Sequence, residues 1–468
     1  MVVGEVATST QLLVIGGGPG GYAAALHGAH KGLSVTLVER HQLGGVCLNE
    51  GCIPSKALIH AAETAALGGT THVGVEIDTR VDLERIGSSI ETIVAGLRSG
   101  VHDLLGGAGV TVLRGTARFS RPGRVAVDDG TMVHHLEFDR CVLATGSRPV
   151  TLPAVGVDDP RVLDAAGALG LRTLPRTMAV VGGGYIGVEL GTAFAKLGTQ
   201  VTIVEAGPRI LPSIDKRAST VVARRLNDVG VTVITGTTAT GLSSGGLLLS
   251  GHDLPLDAER VVIAIGRLPN TDGLGLEVAG VEVGSDGLVV VGPDCRATPT
   301  IAAIGDITPG PALAHKASAQ ANVAVAALTG DQGAAFDPAG VPEVVFSDPE
   351  VAQVGVTPDR ASATGLTTTT FRFPFTAAAR ARTHGATAGY VEVTADEQGT
   401  VVGAVVVGHG ASELISELTL AVEMAATVED LASTIHPHPT FSEAIGEAAM
   451  GLLGHPLHIT TPATLRRQ

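Results

Sequence analysis

A chain of 468 residues exceeds what one hydrophobic core organises and points to two to four domains. Its 46 acidic residues outnumber 31 basic ones, and the resulting net charge of −15 argues against a nucleic-acid or anionic-membrane partner. Four cysteines are too few for a secreted disulfide scaffold, and no stretch approaches 18 uninterrupted apolar residues free of glycine and charge. Residues 1–10 are polar, with acidic Glu5 and no basic cluster, unlike a signal peptide, so a cytoplasmic protein without a membrane partner is expected. Sixty-three glycines with 44% apolar residues suit an α/β protein rich in tight strand-to-helix turns.

Residues 11–15 are a short apolar run, predicted as a buried parallel strand, ending in Gly16-Gly17-Gly18-Pro19-Gly20-Gly21. In this G-x-G-x-x-G, Gly16, Gly18 and Gly21 permit a tight turn and let a pyrophosphate reach the N-terminus of a helix predicted over 22–31. A second strand, 34–39, ends in Glu39, 18 residues past Gly21, where a carboxylate can bind ribose hydroxyls. The glycines alone are a weak signal; the acid at this spacing strengthens them.

Next comes Gly44-Gly45-Val46-Cys47-Leu48-Asn49-Glu50-Gly51-Cys52-Ile53-Pro54-Ser55-Lys56, with two cysteines separated by four residues. Thiols this close either pack as small hydrophobes or cycle as a disulfide. The start of a first helical turn can bring both sulfurs together and leave one nearer the outside, so that one meets a substrate disulfide and the other faces a cofactor. A helix N-terminus also favours thiolate. Cys141 and Cys295 stand alone and are expected in the core.

The first pattern then recurs. A strand over 178–181 runs into Gly182-Gly183-Gly184-Tyr185-Ile186-Gly187, a helix is predicted over 188–197, and a strand over 201–205 ends in Glu205, again 18 residues past the last glycine. Two such units imply two dinucleotides, and the cysteine pair in the first places FAD there and a nicotinamide in the second. Glu205 would repel a 2′-phosphate, and Ala206-Gly207-Pro208 supplies no arginine pair, which favours NAD over NADP; Arg209 keeps the question open. The units close on similar phrases, Ala144-Thr145-Gly146-Ser147-Arg148-Pro149 and Ala264-Ile265-Gly266-Arg267-Leu268-Pro269-Asn270.

Beyond Ile301-Ala302-Ala303-Ile304-Gly305-Asp306 the character shifts, from about residue 345, to alternating strands such as 401–407 and an amphipathic helix over 412–426. Near the end stands His436-Pro437-His438-Pro439-Thr440-Phe441-Ser442-Glu443. A histidine five residues before a carboxylate can be held by it, which fixes the tautomer and raises basicity, and dithiol oxidation needs such a base.

The string Cys47-Leu48-Asn49-Glu50-Gly51-Cys52-Ile53-Pro54-Ser55-Lys56 resembles the redox-active site of the flavoprotein disulfide reductases, in the form found in their dihydrolipoamide dehydrogenase branch. The resemblance runs from about residue 12 to the C-terminal end and is nearest to members serving branched-chain 2-oxo acid complexes. It implies an α/β fold with two Rossmann-like, three-layer dinucleotide-binding domains and an α+β C-terminal dimerisation domain. Boundaries follow at 1–149 with 271–344 for FAD, 150–270 for NAD and 345–468 for the interface.

The resemblance also implies roles for single residues. His438 is expected as base with Glu443 orienting it, reaching the cysteines of the other subunit, while the role of His436 stays open. Lys56, four past Cys52 on one helical face, and Glu189 are expected as a buried pair beside the flavin, or simply as a bridge between domains. Tyr185 gates the nicotinamide site, and Asp306 binds the ribityl chain. Cofactor contacts carry over to Arg40, Gly45, Val46, Lys56, Ala117, Thr145, Gly146, Ala314, Gly182, Gly184, Ile186, Gly187, Ala239 and Gly266, and no metal is expected. Relatives carry an Asn within the segment Thr376-Ala377-Ala378-Ala379-Arg380-Ala381, and here it is missing.

The expected protein is a homodimer that oxidises dihydrolipoyl groups on an acyltransferase (E2) lipoyl domain with FAD and NAD. The alternatives are a reductase of a small disulfide such as mycothione, running on NADPH, and a subunit that chiefly docks on a multienzyme core.

Overall fold

Thr8–Ile15 is a central strand of a seven-stranded sheet, with Leu12, Leu13, Val14 and Ile15 all buried. Leu12 and Val14 pack on helix residues such as Ala24, Ala25 and Leu105, and Leu13 and Ile15 pack on Phe119, Val125 and Val127, so both faces are covered and the run is continuously apolar. Val35–Glu39 lies parallel on one side, followed by Thr111–Arg114, and Val133–Leu143 lies parallel on the other. Val133–Leu143 divides its outer edge: its first half pairs antiparallel with Arg124–Asp128, and its last three residues pair parallel with Ile301–Ala303. A strand from far along the chain therefore completes the first sheet. The computed structural model describes residues 8–68, 71–72, 74–156 and 158–460. The first seven residues of the stretch considered for a signal peptide, and the last eight of the chain, lie outside these.

The second unit is a five-stranded parallel sheet in the spatial order Val162–Leu163, Arg260–Ile263, Thr177–Val181, Gln200–Glu205, Thr232–Thr235. The two similar closing phrases meet each other, for Ser147–Pro149 and Arg267–Pro269 pair antiparallel as the crossing between units. Helices begin earlier than periodicity suggests. The helix expected over 22–31 is Pro19–His30, because proline at the first helical position spends no needed N–H, and that expected over 188–197 is Tyr185–Leu197.

The C-terminal part is an antiparallel sheet ordered Glu343–Val345, Val351–Gly355, Val401–Val407, Tyr390–Ala395, Thr369–Pro374. Val391, Val393 and Ala395 point into a core shared with Ala411–Glu423 and Glu443–Leu452. On the opposite face Gln353 accepts the Asp215 N–H and donates to the Ser213 carbonyl, which fastens this sheet to the second unit. The helix expected over 412–426 stops at Glu423, before Ala425 turns left-handed at φ +49°. Among the described residues no helix is long and apolar enough to cross a membrane.

Candidate active site

The two glycine-rich turns are built alike. Gly16 has φ +103° and a Cβ there would lie 2.2 Å from the Ala144 carbonyl oxygen; Gly182 has φ +111° and would lie 2.3 Å from that of Ala264. Cβ atoms on Gly21 and Gly187 would strike the carbonyls of Gly16 and Gly182. A Cβ on Gly18 would make only an ordinary contact, 3.8 Å from the Gly45 Cα, and one on Gly184 would have nothing within 4 Å. Close backbone packing behind each turn and a vacant front at a helix N-terminus suit a pyrophosphate in both units.

The acids follow the same plan. Glu39 Oε2 accepts the Gly17 N–H at 2.6 Å, and Glu205 Oε2 accepts the Gly183 N–H at 2.6 Å. Arg209 is the cation nearest Glu205 in sequence, and its guanidinium donates to the carbonyls of Leu211, Pro212 and Ile214, so it is held back on its own loop.

Around the first turn, Gly45 packs so close to Gly18 that a Cβ would come within 2.7 Å of the Gly18 Cα, while Arg40 and Val46 are exposed. Ala117 is buried in a cluster with Ile15 and Val38. Thr145 Oγ1 donates to the Asn270 carbonyl at 2.7 Å, and the Gly146 carbonyl accepts the Asn270 N–H. Asp306 follows strand Ile301–Ala303 and accepts from Ser147 Oγ at 2.5 Å. Ala314 opens the helix Ala314–Leu328, whose Ala317 would meet a Cβ on Gly20. In the second unit Ile186 is half-buried, Ala239 is buried at a strand start, and the Gly266 carbonyl accepts the Val150 N–H.

Cys47 and Cys52 do not share one first turn. Cys47 lies in the short helix Gly45–Asn49, and Cys52 opens the next, Cys52–Ala65, with Gly51 between. Both are free thiols that hydrogen-bond to each other. The hydrogen bond from Cys47 is the main reason Cys52 ionises at about 7, with the Lys56 charge adding to it and burial opposing it. The same bond and burial push Cys47 up. The pair therefore has one acidic thiol, at a helix N-terminus, and one proton-retaining thiol.

Lys56 Nζ meets Glu189 Oε2 at 2.7 Å across the boundary between the units. The Glu189 side chain is 4% exposed and that of Lys56 32%. The long aliphatic stem of a lysine lets its head reach the domain edge. Tyr185, one turn before Glu189, is exposed at the start of the same helix.

His438 Nδ1 and Glu443 Oε1 are 2.8 Å apart, and Glu443 Oε2 accepts the Thr440 N–H. Burial raises the Glu443 carboxyl, but the hydrogen bonds from His438 and Thr440 outweigh it and hold it below the usual range. Its position opening the helix Glu443–Leu452 also favours the charge. With Nδ1 committed to the carboxylate, Nε2 is the free basic nitrogen on a side chain 70% exposed. Among the described residues no hydrogen bond or ion pair joins His438 or Glu443 to Cys47, Cys52 or Lys56 of the same chain. His436, left without a role above, pairs through Nε2 with Glu417 Oε1 at 2.8 Å, a bond that raises its pKa and ties the loop to helix Ala411–Glu423. Glu417 was not singled out by the sequence, where it is one more polar position on an amphipathic helix.

Residues 10–321 match the family described as pyridine nucleotide-disulphide oxidoreductase, and residues 341–449 match its dimerisation domain. The dihydrolipoyl dehydrogenases of Geobacillus stearothermophilus and Bacillus subtilis (strain 168) are 43% and 44% identical over 471 residues, covering 98% of this chain and 100% of each relative. The crystal structure of LpdA from Mycobacterium tuberculosis superposes with a TM-score of 0.88 at 31% identity, covering 94% of this chain and 99% of that one.

Proposed function

The chain belongs to the pyridine nucleotide-disulphide oxidoreductases, and from that membership we propose that it is a dihydrolipoyl dehydrogenase, oxidising protein-bound dihydrolipoamide to lipoamide while NAD is reduced to NADH. The observation that carries this reading is the thiol pair Cys47 and Cys52 on two successive helices, with the Lys56–Glu189 ion pair of 2.7 Å on the second, in a chain alignable end to end with dihydrolipoyl dehydrogenases.

In the oxidised state Cys47 and Cys52 form the disulfide. One thiolate of dihydrolipoamide attacks the Cys47 sulfur and releases Cys52 as thiolate. The second substrate thiol, deprotonated by His438 Nε2, attacks the mixed disulfide and releases lipoamide and reduced Cys47. Glu443 keeps the imidazole in the tautomer that accepts this proton. FAD, when bound in the first unit, supplies the two-electron relay between the thiols and the nicotinamide.

Gly16, Gly18 and Gly21 would hold its pyrophosphate, Glu39 its ribose and Asp306 its ribityl chain, with Arg40, Gly45, Val46, Ala117, Thr145, Gly146 and Ala314 completing the site. Gly182, Gly184, Ile186, Gly187 and Glu205 would hold NAD, with Ala239 and Gly266 at its edge and Tyr185 as the residue that would gate the nicotinamide. Lys56 and Glu189 place one fixed charge pair beside the acidic thiol.

The exposed His438, without a partner cysteine in its own chain, suits a homodimer in which each site draws on both subunits. FAD domain 1–149 with 271–344, NAD domain 150–270 and interface domain 345–468 divide the labour. The substrate arm belongs to the lipoyl domain of an acyltransferase (E2) in a 2-oxo acid dehydrogenase complex, in the cytoplasm. The NADPH-driven reductase of a small disulfide is disfavoured by Glu205 and by the tethered Arg209. Purified protein should form NADH from free dihydrolipoamide and NAD. Inert behaviour with dihydrolipoamide alongside NADPH-dependent reduction of a small disulfide would overturn the assignment.

A further inference from the structure

Phe346, which no sequence motif singled out, stands where all three domains meet. Its N–H donates to Glu189 Oε1 at 3.0 Å while Glu189 Oε2 takes Lys56 at 2.7 Å, so the two oxygens of one buried carboxylate are divided between them. Its ring lies under the same ammonium, with Lys56 Nζ 4.4 Å from the centroid. The segment that carries it is fastened a second time. Asp348 Oδ2 pairs with Lys196 Nζ at 2.9 Å and with Arg225 at 3.1 Å. Lys196 is seven residues, two turns, beyond Glu189 on the helix Tyr185–Leu197, so the segment grips one face of that helix at both ends. Ser347 Oγ closes the turn on the Pro349 carbonyl.

We propose that Phe346 is a positioning residue that holds the Lys56 ammonium beside Cys52, its N–H orienting Glu189 and its ring face confining the cation. Lys56 and Cys52 stand four apart on one helix, close enough for the charge to favour the thiolate. A lysine head held by one carboxylate oxygen keeps rotameric freedom on its long stem; a ring beneath it removes that freedom and adds a cation–π attraction. The same charge then reaches the thiol at constant distance. The inference deepens the proposed chemistry and rests on Cys47 and Cys52 being the redox pair.

The test uses the flavin-loaded protein, reduced by two electrons, and reads the pH midpoint of the long-wavelength absorption of the Cys52 thiolate against the flavin. Phe346→Leu should move that midpoint up by about half a pH unit, the size expected for losing a partly exposed cation–π contact and its positioning, while Phe346→Tyr keeps it. Fluorinated phenylalanines placed at position 346 keep the shape and weaken the ring's negative face, so the midpoint should climb with fluorine number even if Phe346→Leu fails to fold. A midpoint unchanged across the fluorinated series would overturn the proposal. No lipoamide enters the measurement, so a chain that turns over some other disulfide would still give this result.

Discussion

Glu205 occupies in the second unit the place that Glu39 occupies in the first. Each Oε2 accepts the N–H of the middle glycine at 2.6 Å, and each Oε1 accepts a backbone N–H two residues on, from Gly207 at 2.6 Å and from His41 at 2.7 Å. A carboxylate held by two amides cannot turn away from an incoming phosphate, yet it retains lone pairs for ribose hydroxyls.

Cofactor choice follows from that geometry. NAD should be preferred over NADP by on the order of 2 to 4 kcal/mol in kcat/KM, because a 2′-phosphate meets a fixed carboxylate while Arg209 is tied to carbonyls of its own loop. Glu205→Ser should shrink the preference. Equal kcat/KM for the two nucleotides in the unaltered protein at physiological ionic strength would show that Glu205 does not read the ribose.

The unequal thiols make a spectroscopic prediction. In the reduced, flavin-loaded protein a long-wavelength thiolate-to-flavin band should persist in Cys47→Ser and vanish in Cys52→Ser, since Cys52 is the thiol that ionises at about 7. The opposite pattern would exchange the two roles.

Stability of the reduced protein should depend on pH through the same group. The folded value of Cys52, about 7, lies below the ordinary 9.0. Between those values the unfolded chain carries more protons at this thiol, so its contribution grows as pH rises from 7 to 9 and is lost as pH falls through 7. Cys47 is shifted the other way and costs stability only where the unfolded thiol ionises, above 9. The melting-temperature gap between reduced wild type and Cys52→Ser should therefore widen from pH 7 to pH 9. A gap constant across that range would exclude a depressed Cys52.

Loss of the base should be selective. His438→Ala should cut dihydrolipoamide oxidation by roughly 10² to 10⁴, the usual range for general-base loss, with flavin content and reduction by NADH unchanged. Mixing subunits tests the shared site directly. A heterodimer of Cys47→Ser with His438→Ala contains one complete site if the residues come from different chains, and should recover about half the wild-type rate. Exchanged subunits that stay inactive would place cysteines and histidine within a single chain.

Features that depend on neighbours within a few residues were legible in the sequence. The glycine turns, the acids 18 residues beyond them, the two cysteines and the His438–Glu443 pair rest on short backbone spacings, and these spacings limit where a strand ends, a helix begins and a side chain can reach. Element boundaries were less legible. Pro19 and Tyr185 start helices inside the motifs themselves, where periodicity has no signal. Tertiary structure alone decided the long-range meetings. Lys56 and Glu189 are 133 residues apart and meet because two helices from different units pack together. Ile301–Ala303 joins the first sheet because the outer edge of Val133–Leu143 is free at its final residues, and Arg209 is turned from the ribose by three carbonyls of its own loop. His436 finds Glu417 only once its loop packs on the helix Ala411–Glu423, and Phe346 finds Lys56 only once the C-terminal sheet is docked on the other units. Such pairs are selected by how whole elements pack and which buried polar groups must then be satisfied, and no local spacing encodes that.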